Sequence, residues 1–292
     1  MKVSLIPNDF SQDLEKVFQL CQTEGVKYVE LAYMWNKSIL ELNEAELTKV
    51  HELIDKYNLK AASIQTQIMK VHPPGNPNAK PGTKNMHDDF EFNISQIDTA
   101  IKLAKEFNAK YIVTYSFMDL KLADPPTLAK NWDLMFQVYG DFIKKLQPAG
   151  KTAIVECDGG QYVATIEDHL KLFEHFNSPH VMANFDLANL SHNQQFTRDL
   201  FEKFYKWVPY FHVKDRKINT GIKKLLFGGS GPAVFSEGSV PWRTVLPWFA
   251  EKGCECFLSV EPHVHGTDKL ELGRQCVKNL QKTLNELNIA YE

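Results

Sequence analysis

Eight short runs of β-forming residues alternate with longer segments of helical periodicity from one end of the chain to the other, and few folds accommodate that rhythm. The strand-like runs are KVSLI (2–6), KYVEL (27–31), KAASIQ (60–65), KYIVTYS (110–116), TAIVEC (152–157), HVMANFD (180–186), YFHVK (210–214) and CFLSVEP (256–262). Between them apolar residues recur at helical spacing, most clearly over 14–25, 45–58, 92–108, 168–176 and 276–288. Gly25 and Asn108 stand where left-handed C-caps belong, Ser11 is placed to cap the first helix, and Pro125, Pro126 and Pro241 stand at helix starts. Eight strand–helix units in 292 residues predict a single (β/α)8 TIM barrel of the α/β class, spanning 1–292. A doubly wound sheet is the structural competitor, but the glycine-rich phosphate turn that usually follows its first strand is missing.

Two connections are long, near 66–88 and 215–241, the first carrying HPPGNPNAKPGTKNMHD (72–88). Each follows a strand and precedes a helix, so each belongs to the C-terminal face of a barrel, where long Gly/Pro-rich loops serve as lids or substrate walls. A net charge of −3 argues against nucleic acid or a membrane surface as partner, since both demand a concentrated basic face. Five cysteines without a CxxC pair argue against a disulfide framework or a structural zinc site. The apolar stretch at the start is too short for a signal-peptide core, and no segment approaches a membrane span, so the expectation is a cytoplasmic protein.

Four consecutive strand-like runs finish in a metal-type ligand: Glu156 on the fifth, Asp186 on the sixth, His212 on the seventh and Glu261 on the eighth. Each alone has an ordinary explanation, as a lysine partner, a loop cap or a hydrogen-bonded core histidine. Together they form one arc at the top of a barrel lumen if the side chains point inward. Three carboxylates packed there repel one another unless a cation sits between them. Two glutamates, one aspartate and one histidine suit one divalent ion, with Mn²⁺, Mg²⁺, Co²⁺ and Zn²⁺ all admissible.

These residues, with VKYVEL, IVECDGG, NFDLANL, FHVKD, EGSVPW and SVEPH around them, resemble the xylose isomerase-like TIM-barrel superfamily of sugar isomerases and epimerases. The resemblance covers essentially the whole chain. It implies relatives of the D-tagatose 3-epimerase type, in which Glu, Asp, His and Glu on strands five to eight bind one metal. By resemblance, Glu156, Asp186, His212 and Glu261 take those roles, and Glu156 and Glu261 are also the catalytic acid and base. The implied reaction is aldose–ketose isomerisation or ketose epimerisation, by proton transfer through an enediolate held at the metal. Many relatives carry a histidine where this chain has Asn189. Endonuclease IV, of the same superfamily, uses that histidine and others on earlier strands for three zinc ions; Gln65 and Tyr115 stand near the corresponding strand ends here, which disfavours a DNA-repair nuclease.

Expected substrate-binding residues are Lys214, which shares the face of His212, together with Arg216, Glu30, Gln65, Asn189 and Trp35. Asp215 and Arg216 read equally well as a loop cap or surface salt bridge, and Glu30 equally well as a structural partner. His263 and His265 flank the last strand end. The alternative reaction is a metal-dependent dehydration of the myo-inosose dehydratase type, whose HxKD-type signature is met at His212, Lys214 and Asp215; a non-enzymatic sugar- or metal-binding barrel comes last. FGGSGP (227–232) lies inside a long loop rather than before a helix, so the expected substrate is a non-phosphorylated ketose or related polyol ketone. The oligomeric state is not legible in the sequence, and the resemblance admits a homo-oligomer.

Overall fold

All eight strand-like runs form strands of one closed barrel: β1 (Lys2–Leu5), β2 (Tyr28–Leu31), β3 (Lys60–Gln65), β4 (Tyr111–Thr114), β5 (Thr152–Glu156), β6 (Val181–Asp186), β7 (Tyr210–Val213) and β8 (Phe257–Val260). Each pairs in parallel with its chain neighbours, and β8 closes onto β1. The structure, a computed structural model, describes residues 1–119, 123–191, 194–218, 230–264, 266 and 268–292. The principal helices outside the strands are α1 (Leu14–Glu24), α2 (Glu44–Lys56), α3 (Ile97–Glu106), α4 (Pro125–Ala149), α5 (Ile166–Phe176), α6 (Arg198–Phe204), α7 (Trp242–Glu251) and α8 (Lys269–Glu286). This is a (β/α)8 TIM barrel, with strands buried on both faces as parallel sheets require.

Alternate strand residues serve two cores. Outward-facing residues such as Phe185 and Phe211 pack against Phe249 of α7 at centroid separations of 6.3 and 4.9 Å. Inward-facing residues fill the lumen, where Tyr28, Ala62, Tyr111, Val113, Tyr115, Ile154 and Tyr210 form a separate cluster.

Several boundaries differ from the sequence reading. Asp13 rather than Ser11 caps α1, accepting the Lys16 N–H at 3.3 Å, because Ser11 ends a short preceding helix and its Oγ instead accepts the Asp13 N–H. The 92–108 segment is two helices, Phe90–Ser95 and α3, parted at Gln96. Buried Asn93 explains the first: its side chain accepts from Met69 N and donates to Gln67 O and Met86 O, clamping the 66–88 connection to the barrel. Strand β7 stops at Val213, and Asp215–Ile218 pairs antiparallel with Ser230–Ala233 as a hairpin above the barrel. His265 and residues 227–229 of FGGSGP lie outside the described residues.

Asp215 organises the ground below that hairpin. Its carboxylate accepts backbone N–H groups from Arg216, Ser236, Gly238 and Val240 at 2.8–3.1 Å. Gly238 is required at this point because a Cβ there would overlap the Asp215 carboxylate. Trp242 Nε1 donates to Lys214 O at 2.9 Å, so the backbone after β7 is held from both sides.

Candidate metal centre and active site

The strand register brings the four proposed ligands to one level. Asp186 pairs with His212 across β6 and β7, and His212 pairs with Ser259 across β7 and β8. Glu156 ends β5, and Glu261 lies one residue past β8, still tied to β7 by its N–H to Val213 O at 3.0 Å. One ligand atom from each of Glu156, Asp186, His212 and Glu261 lies within 4.8 Å of the others, and all four residues are buried.

Below this ring, Glu30 fixes the imidazole. Its Oε1 lies 3.0 Å from His212 Nε2, and its Oε2 accepts the Tyr210 hydroxyl at 2.6 Å. With a proton on Nε2, the Nδ1 lone pair is aimed at Glu156 Oε2 (3.1 Å) and Glu261 Oε2 (3.4 Å). A lone pair facing carboxylates is repulsive until a proton or a metal ion comes between them. His212 Nδ1 is buried and makes no hydrogen bond, which fits a group that still needs to be bound there, while buried Asp186 Oδ2 has the Lys214 ammonium beside it at 2.7 Å. The residues therefore fit a divalent cation, by donor chemistry and by the orphaned His212 Nδ1 alike.

The electrostatics carry the same tension. Burial drives the His212 pKa down, but Glu30, Glu156 and Glu261 outweigh it and hold it well above the ordinary imidazole value. Burial raises Asp186 to about 6 against the opposing pull of Lys214. Glu261 feels burial too, yet Lys214, His212 and His263 keep it well below the usual carboxylate range. Lys214 Nζ lies 2.7 Å from Asp186 Oδ2 and 2.8 Å from Glu261 Oε2, and those carboxylates hold its pKa well up in spite of burial.

Above the ring lies a cavity of about 380 Å³, walled by Asn8, Asp9, Asn189, Lys214, Arg216 and His263 among others. Asn189 donates to Glu156 Oε1 at 3.3 Å, and Arg216 donates to Ala188 O at 3.3 Å. Gln65 does not line it: Gln65 Nε2 is 3.5 Å from the Tyr115 hydroxyl, which burial first, and Glu156 beside it next, holds well above the ordinary phenol pKa. Glu30 departs from the expected substrate contact, being fully buried beneath His212. Trp35 departs too. It sits at the tip of a two-residue hairpin turn with Asn36, under Lys49 of α2, because the chain reverses between Tyr33–Met34 and Lys37–Ser38.

Three residues escaped the sequence reading. Asp9, just after β1, has a buried Oδ2 without a hydrogen bond, lies 3.4 Å from His263, and is raised to about 6 by burial and by Glu261. Its signal was available, since NDF follows the first strand at the functional rim. Asn184, two residues before Asp186 on the inward face, donates to Glu156 Oε2 at 3.5 Å. Tyr210 looked like core, and only its hydroxyl partner shows its second role.

A profile described as xylose isomerase-like TIM barrel matches residues 18–283. A comparison with curated proteins returns no match. Among solved structures, a xylose isomerase-like TIM barrel protein from Mycobacterium smegmatis in complex with magnesium superposes with a TM-score of 0.68 at 15% identity, covering 98% of this chain and 97% of that one. The probable 3-DHS dehydratase AsbF from Bacillus anthracis gives 0.70 at 16% identity, over 96% and 99%. An L-ribulose 3-epimerase gives 0.74 at 12%, over 99% and 96%. At these identities the structural likeness is one of fold, while the profile spans nearly the whole chain. The chain belongs to the xylose isomerase-like TIM barrel family.

Proposed function

We propose that the protein is a divalent-metal-dependent sugar isomerase or ketose epimerase, with Glu156 and Glu261 as the proton-transferring pair. The observation that carries this reading is the division of labour within each glutamate. Glu156 turns Oε2 towards His212 and holds Oε1 against Asn189 on the cavity wall. Glu261 turns Oε2 towards His212 and Lys214 and holds Oε1 3.0 Å from His263. Each carboxylate thus turns one oxygen to the ligand ring and the other to a residue of the cavity wall.

Glu156, Asp186, His212 and Glu261 would hold the metal. When bound, it supplies Lewis-acid polarisation of a ketone and offsets the charge of the ring. The cavity-side oxygens of the two glutamates then remove a proton beside the carbonyl and return it. General acid–base action of this kind contributes roughly 10²–10⁴-fold. Asn189 and His263 orient those oxygens, and the Lys214 ammonium stands beside Glu261 where negative charge develops on the substrate. The expected substrate is a ketose or related polyol ketone.

A second reading, dehydration, is favoured by one observation. Lys214 places a cation at the cavity floor, where it can stabilise a departing hydroxide after the same proton abstraction; the likeness to AsbF points the same way. Proton NMR in D₂O separates the two, using Mg²⁺-loaded protein and a panel of ketoses and inososes. Deuterium beside the carbonyl together with a new sugar supports isomerase or epimerase chemistry. Loss of water to an unsaturated or deoxy product makes the protein a dehydratase, and no exchange with any ketone overturns both.

A further inference from the structure

We propose that a second divalent cation binds beside the ligand ring, held by Asp9, Glu261 and His263, and that its binding halts proton transfer by Glu261. The binding stands on these three residues alone. The inhibition rests on Glu261 acting as acid and base in the proposed reaction.

The donor set is assembled from both ends of the chain. One ligand atom from each of Asp9, Glu261 and His263 lies within 4.8 Å of the others. Ligands that sit roughly 2.0–2.2 Å from an ion lie roughly 3–4 Å from one another, so little movement separates this set from coordination. His263 Nε2 stands 3.0 Å from Glu261 Oε1 and 3.4 Å from Asp9 Oδ2. The backbone of His263 is left-handed, φ 46°, and its ring returns to a residue only two places back. Asn8 donates to Asp9 Oδ1 at 2.9 Å and accepts the Tyr33 N–H at 3.3 Å, which holds that carboxylate with Oδ2 facing the histidine.

Two observations point to a bound cation rather than to a salt bridge complete in itself. Asp9 Oδ2 is buried and makes no hydrogen bond, and among the described residues the one ion-pair partner of Asp9 is His263. A single Nε2 proton cannot be donated well to Glu261 and to Asp9 at once, so one carboxylate oxygen is left short. An ion taking the Nε2 lone pair and both oxygens removes that shortfall. The second observation is that Glu261 divides its oxygens. Oε2 lies 2.8 Å from Lys214 Nζ and 3.4 Å from His212 Nδ1, whereas Oε1 faces His263, so one carboxylate can serve both cation sites. An ion can reach the second site, because Asp9 and His263 line the 380 Å³ cavity and His263 is exposed. One imidazole with two carboxylates suits Mn²⁺, Co²⁺ or Zn²⁺. Once the ion is bound, the lone pair of Glu261 Oε1 is engaged, and that oxygen no longer accepts a proton from the cavity. The ring ion would thus support the reaction, and the second would stop it.

Mn²⁺ alone is the probe, added to the metal-free full-length protein. Equilibrium dialysis with elemental analysis should give about two equivalents per chain for the parent and about one for the Asp9→Asn/His263→Gln double variant. Electron paramagnetic resonance at saturation should show a spin-coupled pair in the parent and an isolated ion in the variant. A single equivalent in the parent, a second equivalent that the variant retains, or two uncoupled ions overturns the proposal. Stoichiometry and coupling in the parent decide this even if the double variant melts early. Proton exchange into ketones should slow by about tenfold or more between the first and the second equivalent, and undiminished exchange at two equivalents overturns the inhibition. A coupled pair with no exchange of any ketone at one equivalent supports the second site, but removes the isomerase reading and the inhibition with it. Ketone exchange by a protein that binds only one ion does the reverse.

Discussion

At the lower end of the barrel lumen Tyr28, Tyr111, Tyr210 and Phe257 pack at centroid separations of 5.2–6.0 Å around Ala62, Val113 and Ile154. At the upper end ligand atoms of Glu156, Asp186, His212 and Glu261 lie within 4.8 Å of one another, with Lys214 2.7 and 2.8 Å from Asp186 and Glu261. Both layers come from inward positions of the same strands: Tyr210 and His212 are two residues apart on β7. The lower layer gains by removing apolar area from water and by edge-to-face ring contacts. The upper layer bears the desolvation of several charges, which their mutual attraction only partly returns. Tyr210 joins them, its ring in the aromatic layer and its hydroxyl on Glu30, which in turn holds His212. The barrel therefore places an aromatic core and a candidate metal site in adjacent layers that share one residue.

The comparison can be broken most directly by exchanging sites for their opposites. Glu156→Gln and Glu261→Gln should each lower proton exchange by about 100-fold or more, with a melting temperature equal to or above that of the metal-free parent. If either variant unfolded as readily as a lower-layer variant, the division of roles would fail. Tyr210→Ala is the converse, and should cost about 3–5 kcal/mol of stability in urea unfolding. Tyr210→Phe sharpens the link between layers. It keeps the ring but strips Glu30 of its donor, and should cost about 1–3 kcal/mol while weakening Mn²⁺ affinity by about tenfold or more. Unchanged metal affinity would show that Glu30 holds His212 without help.

A pH-dependent effect concerns a histidine outside both layers. His169 of α5 is fully buried, with ring nitrogens 3.2 Å from Thr165 O and from Val155 O. Burial outweighs those carbonyls and lowers its pKa from 6.5 to about 4. The folded state thus binds this proton more weakly than the unfolded chain. Its neutral form is fully accommodated above pH 6.5, and stability falls as pH drops from 6.5 towards 4, by up to about 3 kcal/mol. His169→Gln should flatten that acid limb in chemical unfolding at pH 7 and pH 4.5. An identical slope in the variant would remove His169 as the cause.

Much of this was readable in advance because strands and helices announce themselves locally. The period of two and the period near 3.6 come from backbone geometry, so the alternation of the eight units survives in one dimension. Glu156, Asp186, His212 and Glu261 were visible because charged groups at the ends of apolar runs conflict with their surroundings. Asp9 had only its place just after the first strand to mark it, and becomes notable when the short helix Pro7–Phe10 after β1 meets His263 from the segment after β8. Trp35 was misread because an aromatic after a strand points equally well to a pocket or to a neighbouring helix, and the hairpin turn decides it.

The sequence by itself determined the order and type of the elements, the barrel they close into, and the four residues that make an oxygen-rich ring with one imidazole. Only the tertiary structure decided which nitrogen of His212 faces that ring, because the choice depends on Glu30, 182 residues away along the chain. It also decided that Asp215 caps a loop while its neighbour Arg216 borders the cavity. Local propensity arises within a few residues of backbone, whereas the hydrogen-bond partner of a buried side chain is set by closure of the barrel, which brings β2 against the residues of β7 across the lumen.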